Sequence, residues 1–163
     1  MRVVLKDLSQ ESSRRVKSIL TGLCDECEGG GLVLIGHGSN KGDEFMNVTP
    51  KQILECGIRP AVIWLFACNC GRTMLEGLSD GGPMAIGHVC NVLISKDDPR
   101  AVQAVIQTME ESAAHTDCHG LTYTVREKWL SIAKQCFFTG DFFTAAVVNQ
   151  LRLSLRCKSG SKL

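Results

Sequence analysis

The chain has 163 residues, 44% hydrophobic and 21% charged, with a formal net charge of +1. This profile fits one globular domain large enough for a sizeable core, and so small a charge argues against a nucleic-acid partner or an anionic membrane surface. No apolar run reaches the roughly 18–20 residues of a membrane-spanning helix, and the opening MRVVLKDLSQ turns polar too early for a secretory signal.

In chain order, RVVLK (2–6) is a strand, with Ser9 a candidate cap for the helix after it. Val16, Ile19, Leu20, Leu23 and Cys27 recur at helical spacing and define one apolar face. Glu28–Gly31 ends that helix. Residues 32–36 form a continuous apolar run, as expected of a strand buried on both faces. Thr49 as N-cap, Pro50 at the first helical position and Gly57 at the end bound a short helix. A second buried strand follows at 61–67, a helix at 72–79 and a fourth strand at 85–95. Asp98 and Pro99 open a helix with Val102, Val105, Ile106 and Met109 on one face. Strands alternating with helices up to residue 114 predict a three-layer α/β/α sandwich with a mostly parallel central sheet. The tail, 115–163, reads as two further helices, 124–138 and 141–156, split near Gly140 and Asp141. The whole of 1–163 is read as one domain, with 1–114 as its α/β core and the C-terminal helices covering the sheet or docking a regulatory partner.

Nine cysteines lie at 24, 27, 56, 68, 70, 90, 118, 136 and 157. Most sit in apolar patterns, where a free thiol packs as a small hydrophobe. The odd count and the lack of a secretion signal predict a reduced, cytoplasmic protein instead of a disulfide scaffold. Cys24 and Cys27 have CxxC spacing and, with Cys68 and Cys70, are the nearest approach to a zinc set. One CxxC is weak evidence, so no metal is expected. The final Ser161, Lys162 and Leu163 match a peroxisomal address if the source is eukaryotic.

Two segments carry the chemistry. LVLIGHGSN (32–40) is an apolar strand that stops at a histidine between two glycines, and AVIWLFACNCG (61–71) is an apolar strand that stops at a cysteine. In an open parallel sheet, ligands gather at the carboxyl ends of strands. His37 and Cys68 each stand just past such an end. A thiolate is a strong nucleophile, and a nearby imidazole can take its proton and return it to a leaving amine. Gly38 has no side chain to block a substrate carbonyl, so its N–H and that of Cys68 are candidate oxyanion donors. Asp43 and Glu44 after the His-Gly turn, and Asp97 and Asp98 after the fourth strand, are candidate substrate-pocket acids. Arg59 and Arg72 would instead favour an acidic substrate. His88 and His115 are read as structural, and DCHG (117–120) as a turn whose composition would suit a metal but which no second motif joins.

An apolar strand ending in His-Gly, a helical insert and an apolar strand ending in Ala-Cys together resemble the caspase-like cysteine peptidases, and most closely their CHAT domains. TPKQIL resembles the short helix before the nucleophile strand, LFACNCG the nucleophile turn, and AIGHVCNVLISKDDPRAV the next strand, acidic turn and helix. The resemblance spans about residues 1–114. It implies a caspase-like fold and a cysteine endopeptidase acting on a protein or peptide substrate without a cofactor. His37 would be its base and acid, Cys68 its nucleophile and Gly38 an oxyanion donor. Two alternatives stay open. One is a non-catalytic caspase-like interaction module, which exposed aromatics in CFFTGDFF would favour. The other is a chelatase-like metal-binding enzyme, because LVLIGHGS also resembles the histidine strand of the sirohydrochlorin and cobalt chelatases.

Overall fold

The computed structural model describes residues 2–80, 82–90, 99–113, 115 and 117–160. Asp97, Asp98, Ser161, Lys162 and Leu163 therefore lie outside the described residues. Five strands form one sheet in the order β1 (Val3–Asp7), β2 (Gly31–Ile35), β3 (Val62–Phe66), β4 (Met84–His88) and β5 (Leu155–Lys158). The first four are parallel, and β5 runs antiparallel beside β4.

The central strands β2 and β3 are apolar throughout because both faces are covered. Leu32 and Leu34 of β2 share one cluster with Ile63 and Leu65 of β3, while Val33 shares the other with Trp64 and Phe66. The first cluster is closed by α1 (Ser13–Gly22), α2 (Cys24–Cys27), α3 (Pro50–Glu55) and α4 (Thr73–Asp80). All four helices belong to crossovers between successive parallel strands. Such crossovers are right-handed, so a strand order that never reverses keeps them on one face. The second cluster is closed by α5 (Pro99–Ser112), α6 (Cys118–Phe138) and α7 (Phe142–Ser154). The result is an α/β structure with a helical layer on each side of a mostly parallel sheet.

Local chemistry sets several boundaries. Thr49 and Gln52 form a reciprocal capping box at α3, with Pro50 in its first turn. Gly57, at φ 87°, follows that helix. Asp141 caps α7 through the Thr144 N–H, after Gly140 turns the chain at φ 85°.

Other boundaries differ from expectation. The first helix is capped by Ser12, which accepts from the Arg15 N–H; Ser9 instead donates to the Asp7 carboxylate. Among the described residues the fourth strand spans Met84–His88, with the backbones of Cys70 and Gly71 close against its end, and 91–95 of the expected run lie outside the described residues. DCHG is no turn: Asp117 caps α6 through the Gly120 N–H, and Cys118 is the first helical residue. The tail also adds a strand. Leu155–Lys158 pairs with β4, and Cys157 forms a disulfide with Cys118 at a Cα separation of 5.7 Å, within the usual range. The expectation of a wholly reduced chain therefore fails at this pair. Local spacing gives no sign of it, since 39 residues separate the partners.

Among the described residues, no helix is long and apolar enough to cross a membrane.

Candidate active site

Strands β2 and β3 are parallel neighbours, and every pair in their register differs by the same offset, up to Ile35 opposite Phe66. The Gly36 N–H still donates to the Phe66 carbonyl, at 3.3 Å. Both strands end there, with His37 and Cys68 each two residues past the last pair. The backbones are in contact here, since a Cβ on Gly38 would collide with the Cys68 carbonyl oxygen. This close approach is one reason the position must be glycine.

After Cys68 the chain reverses. Asn69 adopts a left-handed conformation, φ 57°, which asparagine tolerates better than most residues. The turn is then pinned to the end of β4, where the Asn69 N–H donates to the Cys90 carbonyl and the Gly71 N–H to the His88 carbonyl. On the other side, residues 38–48 fold back as a small antiparallel hairpin, bridged at Gly38–Phe45 and Phe45–Val48. Its flanking bonds run from Ser39 N–H to the Glu44 carbonyl and from Met46 N–H to the His37 carbonyl. Gly38 and Phe45 are thus a non-hydrogen-bonded pair, and the hairpin makes no use of the Gly38 N–H.

His37 is exposed, and its Nε2 lies 3.1 Å from the Ser9 carbonyl oxygen. A carbonyl only accepts, so Nε2 carries the proton and neutral His37 keeps the Nδ1 lone pair as its basic site. Ser9 reaches it because β1 is the other neighbour of β2. A backbone acceptor has no side-chain signature, so sequence reasoning missed this contact. Cys68 is half-buried, whereas Cys70 is fully buried. Burial, and then the neighbouring Cys68, push the Cys70 thiol up to about 12, which leaves it a packing group at neutral pH.

The other candidates fall in different places. The Asp43 carboxylate accepts from the Ser39 hydroxyl at 2.8 Å and so braces the hairpin, while Glu44 is half-buried beside it. Arg72 is exposed just past the cysteine turn. Arg59 is at the opposite end of the sheet, where its carbonyl receives the Gly29 N–H. Cys24 and Cys27 also lie at that amino end, with the Cys24 thiol against the Cys56 carbonyl at 3.1 Å. The length of the strands separates them from Cys68 and Cys70, and among the described residues no group of three or more ligating side chains comes together.

His88 is fully buried and fully engaged. Its Nε2 accepts from the Trp64 indole N–H at 3.4 Å, and its Nδ1 is 3.2 Å from the Ser154 hydroxyl, which donates to the Leu151 carbonyl. Trp64 and Trp129 stack on its ring, and Phe66 meets it edge-on. Burial lowers its pKa to about 3, so it is neutral under ordinary conditions. It is a structural hub behind the cysteine turn.

Comparison with protein-family models, with curated proteins and with solved structures finds no match for this chain.

Proposed function

We propose that this protein is a caspase-like cysteine endopeptidase in which Cys68 is the nucleophile and His37 the general base and acid. The observation that carries the reading is the shared register of β2 and β3, which brings the ends of the histidine and cysteine strands together at one edge of the sheet. The Ser9 carbonyl supports it by leaving Nδ1 of His37 to act as the base.

In this mechanism His37 Nδ1 takes the Cys68 proton, and the thiolate attacks the carbonyl carbon of a peptide bond. The Gly38 and Cys68 N–H groups stabilise the oxyanion. Collapse breaks the C–N bond, and the imidazolium returns its proton to the departing amine. Water, deprotonated by the same imidazole, then attacks the thioester, releases the acid and restores the thiol. Ser9 stabilises the imidazolium through the proton held on Nε2.

The test is a thiol-reactive peptide probe followed by peptide mapping. Labelling should be stoichiometric and confined to Cys68, and Cys68→Ala should abolish both labelling and cleavage without unfolding the chain. His37→Ala should slow labelling by about 10²-fold or more and alter its pH profile between pH 5 and 8, because the unassisted thiol then reacts only as its own thiolate forms; a profile unchanged from wild type would show that the two residues do not communicate. Cleavage that persists in folded Cys68→Ala would sink the assignment.

A second reading, a non-catalytic interaction module, is favoured by one observation: Phe137, Phe138, Phe142 and Phe143 are all exposed. Indiscriminate labelling of the accessible cysteines, with no preference for Cys68, would select it.

A further inference from the structure

We propose that the outer face of the α6–α7 hairpin is the interface of a homodimer, packed two-fold against the same face of a second copy. Among the described residues, all six exposed large apolar side chains lie on these two helices: Tyr123, Phe137, Phe138, Phe142, Phe143 and Leu153. The inner face of α6 is already buried through Leu121, Val125, Trp129 and Ala133. On its outer side, Tyr123 stands near one end and Phe137 and Phe138 at the other, with the exposed Glu127 and Lys134 between them. Phe142, Ala146, Asn149 and Leu153 form a stripe at helical spacing on α7. The apolar surface is densest where the two helices meet, at Phe137, Phe138, Phe142 and Phe143, and among the described residues nothing buries these side chains.

The area suits a dimer. The six side chains are 57–83% exposed. With roughly 150–250 Å² for each buried aromatic, they offer on the order of 600–900 Å² per copy. A stable interface takes about 800 Å² from each partner.

The shape suits a second copy of this chain. Between the helices runs a groove of about 680 Å³, with Ala133, Ala145 and Ala146 among its lining and Phe137, Phe138 and Phe142 beside them. Phe138 is the most exposed of the six, at 83%. The same patch therefore carries both a hole and a knob, which is the self-complementarity a two-fold interface requires. Charge does not oppose the pairing: Lys134 is the one charged residue lining the groove, and Asp141 stands at the turn beside it. A single cation balanced by an anion gives little attraction to anionic lipid headgroups.

The test is sedimentation equilibrium on the full chain from 1 to about 100 μM. The expected mass is twice 17.7 kDa. Phe138→Glu with Phe142→Glu should yield monomer with unchanged far-UV circular dichroism, because neither side chain is buried. Leu153→Lys, at the far end of the stripe, should weaken association at least tenfold. Hydrogen exchange on wild type supplies a readout that needs no variant, since amides in 130–153 should gain protection as concentration rises. A wild-type monomer at 100 μM overturns the proposal, as does a dimer indifferent to these substitutions. So does a monomer that binds phosphatidylcholine vesicles through this hairpin, which would make lipid the occupant. None of these results depends on whether Cys68 is catalytic.

Discussion

Gly38 and His88 hold the site from its two sides, and each predicts a measurement. A methyl group on Gly38 would meet the Cys68 carbonyl, which is backbone and can yield only if the strand ends part. Gly38→Ala should therefore cost about 1–3 kcal/mol in urea unfolding and slow alkylation of Cys68. Gly22→Ala, where nothing lies within 4 Å of the added carbon, is the control and should cost nothing. His88 makes a pH prediction. Its pKa falls from 6.5 in the unfolded chain to about 3 in the native protein, chiefly through burial. Above pH 6.5 both states are neutral, and its contribution to stability is complete. As pH falls below 6.5 the unfolded state binds a proton that the native state refuses, so stability drops by about 1.4 kcal/mol per pH unit until the native pKa is reached. Urea titrations between pH 6.5 and 5 should show this slope, and His88→Gln should flatten it.

The last strand depends on its attachments more than on its own pairing. β5 offers four residues to β4 and is the antiparallel edge of the sheet. The disulfide to Cys118 anchors it to the first turn of α6, and the Arg126 guanidinium donates to its Leu155 carbonyl at 3.1 Å. A covalent link across 39 residues restricts the unfolded chain by about 2–4 kcal/mol. Reduction with a dithiol, or Cys118→Ser with Cys157→Ser, should lower stability by that amount, read as the shift in urea midpoint. Unchanged stability after reduction, with both thiols confirmed free by mass spectrometry, would contradict this role for the bridge. The effect should extend to the cysteine turn, because the Val89 N–H donates to the Ser154 carbonyl and the Gly71 N–H to the His88 carbonyl.

The molecule is built as two unequal halves around its sheet. Everything up to α4 covers one face, and the other needs the tail. Val33, Trp64, Phe66 and Ile86 are buried against Leu121, Val125, Trp129, Val148 and Leu151. The segment 115–163 is therefore part of the core and not an appendage. A chain cut after residue 114 should bind a hydrophobic dye and show no cooperative thermal transition, since α5 alone leaves most of the second face open to water. A cooperative transition in that fragment would show that the first half folds independently.

The sequence by itself determined what periodicity and local chemistry encode. Continuous apolar runs marked β2 and β3 as doubly buried strands, Thr49, Pro50 and Gly57 marked the bounds of α3, and the alternation of elements marked a mostly parallel sheet. The handedness of crossovers places such consecutive strands side by side or one apart, and only the folded sheet made β2 and β3 direct neighbours. Tertiary structure alone decided the rest, because those contacts join residues far apart in the chain. Ser9 reaches His37 only because β1 lies beside β2. Cys118 meets Cys157 only because the tail turns back to pair with β4. His88 reads as one more strand residue until Trp64, Trp129 and Ser154 close around it. Side-chain periodicity records which face of an element is apolar. It does not record which distant element covers that face, or whether anything does, and so the exposed phenylalanines of α6 and α7 first became visible when the chain was folded.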